Sequence, residues 1–477
     1  MGWKRMFTAV VALALSAALA APAARAQSLA DTLVAAYRNS NLLEQNRALL
    51  RAADEDVVQA RSTLLPVVNF IAGATASERS TRIAGLPTQS SSSHQISARI
   101  AADMTLIDFG RGAAGIEAAR EQVLALRAGL IGVEQGVLLR AIAAFVEMQT
   151  ASQVIGLRQS NTRLIEQELR AARERFELGD STRTDVAIAE ARLAAARSAL
   201  AAAEGDLDIA REEFRLAVGR FPEQLAAMPS LPRLPDSLDA AQATARALHP
   251  SITQAQHQVR AAQLQSDIAR RQRYGTVRGE VSVGVSDGRA QGAQGGLTTP
   301  GSSTTTDLNA GVSYNVPLYT GGRLPSGERQ AIARQQGQSF VLHQTVAEIQ
   351  QAVGANWSRL AVARARLQAS DQQIEASRAA FEAVRAEAEL GARTTLDVLN
   401  AEQELLDAQF ARIEAGAALQ LASYALLEST GQLTVTTLNL GIPTYDVEAY
   451  SSAFSPAART PSVQGQRLDA IMGRYGN

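Results

Sequence analysis

The sequence predicts a mainly α-helical chain with a membrane-type β portion, built as two copies of one unit: helix, β-hairpin, long helical hairpin. Three observations predict it. The chain matches itself at an offset of 212 residues. Each half carries two runs in which apolar and polar residues alternate. Each pair of runs is followed by a long stretch free of proline, apart from Pro325 near the start of the second.

The self-match is the firmest of the three. Glu177-Leu178-Gly179 lands on Glu389-Leu390-Gly391, and Asp185-Val186 on Asp397-Val398. Over residues 177–199, 11 of 23 positions are identical at this offset. The same offset sets Leu106, Gly110 and Arg111 on Leu318, Gly322 and Arg323. One register held over such separated segments marks a duplication, and the period is too long for a solenoid. The expected organisation is a first repeat over 27–239, with a hairpin at 66–107 and helices over 110–220. A second repeat covers 240–435, with a hairpin at 277–318 and helices over 322–430. Residues 436–477 form a C-terminal equatorial segment and tail.

Taken in order, Lys4 and Arg5 precede an apolar run, Met6–Ala21, and Ala24-Arg25-Ala26 has the small-x-small form of a cleavage site. This predicts a secretory signal peptide over 1–26. Its removal takes Lys4, Arg5 and Arg25, leaving 43 arginines against 47 acidic residues, a charge of −4. Beyond it, no uninterrupted apolar run is long enough to cross a bilayer as a helix.

Ser28–Thr63 reads as one helix ending at Pro66. In Gln95–Ile107, Ile96, Ala98, Ile100, Ala102, Met104 and Leu106 oppose a polar set, the period of a strand with one apolar face. Val67–Ser77 alternates more weakly, through Val68, Phe70 and Ala72. A polar loop, Glu78–His94, is expected between them. The second half repeats this with Val277–Val285 and Asp307–Leu318, joined by a Gly/Ser/Thr-rich loop, Asp287–Thr306. From Gly110 to Gly179, and from Gly322 to Gly391, a continuous helix would span roughly 100 Å. Ile116, Val123, Leu130, Val137 and Ala144 recur every seven residues, accompanied by Leu124, Ile131, Leu138 and Phe145, which predicts coiled-coil packing. The Ala-rich segments Thr184–Val218 and Thr395–Thr430 are expected to return antiparallel, making turns at 179–184 and 391–395 the tips of two helical hairpins.

Strands of about 10 residues suit an outer membrane when tilted. Four cannot close a barrel, and an open edge is not tolerated in lipid. Copies of the chain would therefore have to share one barrel, two giving 8 strands and three giving 12; the other possibility is an ordinary soluble sheet. Composition excludes several functions. With no cysteine and four scattered histidines, thiolate and histidine metal sites have no basis. A net charge of −1 leaves no footprint for nucleic acid. The Gly-rich stretch at 292–296 lacks the lysine of a phosphate loop, and no catalytic constellation or cofactor motif stands out, so an enzyme is not expected.

Ala60-Arg61-Ser62-Thr63-Leu64-Leu65-Pro66 before the first strand, Val316-Pro317-Leu318-Tyr319-Thr320-Gly321-Gly322-Arg323 after the last, and the paired tips resemble the TolC-like outer-membrane factors over essentially the whole mature length. The closing Gly441–Tyr450 is similar to the subgroup serving type I secretion. The resemblance implies a homotrimer: a 12-stranded β-barrel in outer-membrane lipid and a 12-helix tunnel reaching into the periplasm, girdled by a mixed domain that includes Met228–Asp239. It implies a passive export duct for proteins or small molecules. The partners would be a periplasmic adaptor (membrane fusion) protein and an inner-membrane ABC or RND-type transporter.

Carried onto this chain, the family's periplasmic gate falls on Arg393, with Thr184 and Asp185 as its partners on an adjacent coil. Asp397 falls on a position facing the pore axis, and Asn400 lies on the same helical face. Ala388 stands where some members have an aromatic. Without the resemblance, Arg393 and Asp397 read as a solvated i,i+4 pair. Leu178, Gly179, Ser181, Leu390, Gly391 and Thr394 are the expected adaptor-docking residues; the two glycines also suit left-handed helix ends. The rival reading is a soluble periplasmic coiled-coil adaptor or structural protein. That needs one long helical hairpin, not two in tandem, each preceded by alternating strands.

Overall fold

The computed structural model describes residues 26–85, 88–179, 182–294 and 297–450. The expected signal segment, apart from Ala26, and the tail after Tyr450 lie outside the described residues. The described residues divide into two compact units: those up to 47, 129–252 and 345–445 form one; 48–128, 253–344 and those from 446 on form the other.

The single N-terminal helix expected over Ser28–Thr63 is two helices, α1 (Leu29–Asn39) and α2 (Asn41–Ser62). Ser28 opens α1 through a reciprocal capping box with Asp31. The break comes at Ser40, whose backbone is extended (φ −72°, ψ 108°) and whose hydroxyl accepts from Leu43 N at 3.3 Å. Asn39 pins it by donating to Val218 O at 3.0 Å. A hydroxyl that caps the following helix outcompetes helix continuation, and apolar periodicity alone does not register that competition.

The sheet of the second unit has four antiparallel strands in chain order: β1 (Val67–Thr81), β2 (Gln89–Ile107), β3 (Thr276–Gln294) and β4 (Leu297–Asn315). β2 pairs with β3, so the two hairpins fuse into one sheet. The expected polar loops are largely strand. The ladder runs on to Thr81↔Gln89 in one hairpin and Gln294↔Leu297 in the other. Apolar alternation stops there but backbone pairing does not, and Ser and Thr side chains continue it. Ser77 Oγ meets Ser93 Oγ at 2.8 Å, and Thr304 donates to Asp287 at 3.0 Å. The register puts all the alternating apolar residues on one face. Phe70, Ile100, Val283 and Leu308 form one row across the strands, and Val68, Ala102, Val281 and Ala310 the next.

Two helices of 67 residues follow the hairpins, α3 (Arg111–Glu177) and α7 (Arg323–Glu389). Each is followed by a returning arm, α4 (Arg183–Val218) and α8 (Thr395–Ser429). Pro325 sits in the first turn of α7, where no intrahelical N–H bond is lost. On α3 the heptad positions Val123, Leu130, Val137 and Ala144 are buried, while their companions Leu124 and Ile131 stay exposed in a single chain. One stretch of α3, interrupted by polar residues, is long and apolar enough by composition to span a membrane, and half of it is buried inside the fold.

Two shorter helices precede β3, α5 (Leu238–Leu248) and α6 (Pro250–Arg271). The core of the first unit holds Leu138, Ile142, Phe145, Phe214, Leu426 and Leu433, all under 2% exposed. Irregular chain packs around it. Gln27 bridges Leu225, Gln420 donates to Pro229 O at 3.0 Å, and Val435 N donates to Glu134 at 2.8 Å. Arg47 lies between the rings of Tyr37 and Tyr445, at 5.2 and 4.9 Å from their centroids.

Candidate functional site

The turns joining α3 to α4 and α7 to α8 are built by one device used twice. Each long helix ends on a left-handed glycine, Gly179 (φ 84°) and Gly391 (φ 79°). At the second tip Gly391 N donates to Ala388 O at 3.0 Å and Ala392 N to Glu387 O at 2.9 Å, the double closure of a Schellman motif. At the first, Gly179 N donates to Phe176 O at 3.1 Å. A threonine then starts the next helix. Thr182 and Thr394 each accept at 3.3 Å from the N–H three residues on, and Asp185 and Asp397 each accept in return from the cap N–H at 3.0 Å. The shared Thr-x-x-Asp spacing is the sequence signal for both capping boxes.

These boxes employ two of the candidate gate residues. Asp397 is held below the usual carboxylate range by the Thr394 backbone N–H and hydroxyl, with Arg393 adding a weaker pull. Arg393 donates from Nε to Glu387 at 2.8 Å, in the last turn of α7, and its ion pair is with that residue rather than with Asp397. Glu387 raises the Arg393 pKa, first by this hydrogen bond. Thr184 is exposed in the first turn of α4, one residue from the capping pair rather than part of it. Asn400 accepts from Arg192 of α4 at 3.1 Å, which ties the two tips together within the chain. Glu387, Thr182 and Arg192 were not among the residues picked from sequence.

The expected docking residues sit where a partner could reach them. Leu178 and Leu390 are 78% and 87% exposed, the reverse of what a leucine gains by folding. Gly179, Gly391 and Thr394 are exposed beside them. Ser181 lies outside the described residues. Thr394→Ala should cost about 1 kcal/mol of helix-end stability. Faster hydrogen exchange at the first amides of α8, with the rest of the helix unchanged, is the expected result.

The family model described as outer membrane efflux protein matches residues 32–220 and again 242–432, once in each half. The outer membrane efflux protein BepC of Brucella suis biovar 1 (strain 1330) is 33% identical over 457 residues, covering 94% of this chain and 95% of that one. The outer membrane protein TolC of Vibrio cholerae serotype O1 is 26% identical over 391 residues, covering 80% and 86%. A solved structure of CusC, described as forming a transmembrane channel, shares the fold at a TM-score of 0.71 and 18% identity, over 85% of this chain and 92% of that one.

Proposed function

The chain belongs to the outer membrane efflux protein family, and from that premise we propose that three copies share one 12-stranded barrel and a 12-helix tunnel beneath it. Membership gives the broad function and place in the plain sense: an export channel of the outer membrane. The finer reading is a passive duct that takes proteins or small molecules from an inner-membrane ABC or RND-type transporter through a periplasmic adaptor.

One observation carries the reading. The sheet has an apolar face made of exposed side chains, Phe70 (72%) and Leu308 (76%) among them, and two unpaired outer strands, β1 and β4. Lipid would cover that face, but it cannot satisfy the free N–H and C=O groups of an open edge. Pairing β4 of one copy with β1 of the next satisfies both edges and closes the ring. The exposed Leu124, Ile131, Phe340 and Leu216 of the helices support the same conclusion, since copies side by side would cover them. The repeats then run over 27–239 and 240–435, with 436–477 as a C-terminal segment.

The tips form the gate and the adaptor dock. Arg393 reaches Thr184 and Asp185 of an adjacent coil, and Asp397 and Asn400 line the constriction. Leu178, Gly179, Ser181, Leu390, Gly391 and Thr394 meet the adaptor. Links between exposed charges are individually weak and salt-screened, so the gate should loosen on a single change. Purified protein in planar bilayers should form ion-conducting channels, and Arg393→Ser should raise their single-channel conductance. A conductance equal to the parent's would remove Arg393 from the gate. An absence of channels from correctly folded protein would reject the duct.

A further inference from the structure

We propose that Glu402 is a proton-controlled latch that fastens the first helical hairpin to α8, closed while its carboxyl holds a proton and loosened when the proton leaves. The contacts that carry this lie within one chain and one compact unit, so the latch itself depends on neither the trimer nor the gate.

Glu402 stands in the second turn of α8 and is only 4% exposed. One carboxyl oxygen accepts from Asn161 Nδ2 of α3 at 2.8 Å; the other is buried with no hydrogen-bond partner. An apolar cluster lies next to these two residues in sequence: Ile165 one turn after Asn161 and Leu399 one turn before Glu402 belong to it, with Leu169 of α3 and Ala189 and Leu193 of α4. The polar and charged groups facing it are few. Asn161 and Glu168 come from α3, and Arg385 from α7. From α4, Arg192 is engaged by Asn400, two residues before Glu402. A lone oxygen in such a place is costly as an anion and much less so as a hydroxyl.

The duplication supplies an internal control. The position matching Glu402 in the first half is Glu190, also a glutamate. Glu190 is half exposed and pairs with Arg173 at 2.6 Å. The same residue in the same repeat position is a solvated ion-pair partner once and a buried, half-satisfied acid once. What differs is what each meets on α3: buried Asn161 for Glu402, exposed Arg173 for Glu190.

The direction of the pH effect follows. Burial, and then the like charge of Glu168, raise the Glu402 pKa from 4.5 to about 7, against the Asn161 hydrogen bond and Arg385. Docked, the carboxyl keeps its proton up to about that pH. Undocked and solvated, it loses the proton near its ordinary value. Docking therefore binds a proton: it is fully supported below the ordinary value, weakens as pH rises, and has lost this support above about 7. Because α8 starts at the second tip, loosening there frees the turn that carries Arg393 and Asp397.

The absence of cysteine gives a clean test. Gln159→Cys on α3 and Glu404→Cys on α8, both exposed positions, take one spin label each in the full-length protein. Electron–electron distance measurements would run from about pH 5.5 to about pH 8.5, spanning the titration. The expected result is a narrow distance distribution in acid that broadens with a midpoint near neutrality. In Glu402→Gln it stays narrow throughout. In Glu190→Gln it behaves as in the parent. Asn161→Ala, which removes the donor to the anion, should move the midpoint upward, a response that a merely structural role would not give. A parent distribution that ignores pH, or one that broadens equally in Glu402→Gln, overturns the latch. Conductance on the same pH series reads the gate separately: broadening without a conductance change leaves the latch intact and rejects its link to the gate.

Discussion

Val283→Arg should abolish assembly in the outer membrane. Val283 pairs with Ile100 on one side and Leu308 on the other, in the row that Phe70 completes. All four lie on the apolar face, which the proposed barrel turns to lipid. An arginine at mid-depth on such a face costs about 2–4 kcal/mol, and a trimer carries three. The total, roughly 6–12 kcal/mol, is comparable to the whole net stability of an ordinary domain, about 5–15 kcal/mol. Asn309→Arg is the matched control. Asn309 is one residue from Leu308 in the same strand, so its side chain leaves from the opposite face. The expected outcome is loss of Val283→Arg from the outer-membrane fraction and of its heat-stable oligomer on gels, with Asn309→Arg retained. Equal recovery of both would mean the apolar face does not meet lipid.

Gly275→Ala should be the most damaging single added methyl group among the described glycines. Gly275 turns the chain from α6 and its short 3-10 turn into β3 at φ 76° and ψ −157°, outside the range of L-residues. A Cβ there would lie 2.2 Å from Asn315 O and 2.9 Å from Val316 Cα. Both are backbone atoms, and Asn315 is held by its ladder pairing with Thr276. Neither can yield without moving the end of β4. The neighbouring rings resist as well, since Phe109 packs on Tyr274 and Tyr314 at 5.8 and 6.3 Å, and Tyr314 donates to Tyr274 O at 3.1 Å. Strain of this kind is worth about 1–3 kcal/mol before the clash is added. Gly311→Ala, where the added Cβ meets nothing within 4 Å, should change stability little. Assembled yield and thermal midpoint should fall sharply for Gly275→Ala alone; an unchanged midpoint would contradict the geometry.

Both predictions rest on features that the sequence shows unevenly. The long helices were legible because a seven-residue repeat without interior proline leaves few alternatives, and their starts and ends lie at glycines. The sheet was legible only where one face is apolar. Past Ile96 on β2 and Val285 on β3 the residues turn polar or small, and the ladder continues unseen, because hydrogen bonding between backbones leaves no mark on side-chain pattern. The break at Ser40 was hidden for a related reason: a serine hydroxyl caps a helix without disturbing the apolar period. The two capping boxes could have been read from Thr-x-x-Asp, and doing so assigns Asp185 and Asp397 a local duty in addition to any at a gate. Glu402 could not have been found. Its sequence neighbours match those of Glu190 closely, and only burial against Asn161, in place of an exposed pair with Arg173, sets the two apart.

The central claim is that several copies complete one membrane barrel. The most direct test is the mass of the native particle: separate the outer membrane, extract the protein in detergent, and measure its mass after subtracting the bound detergent. The account predicts recovery from the outer membrane as a trimer, stable until heated. A monomer recovered without detergent from the periplasmic fraction would contradict it, since the four strands would then be an ordinary sheet with water on both faces.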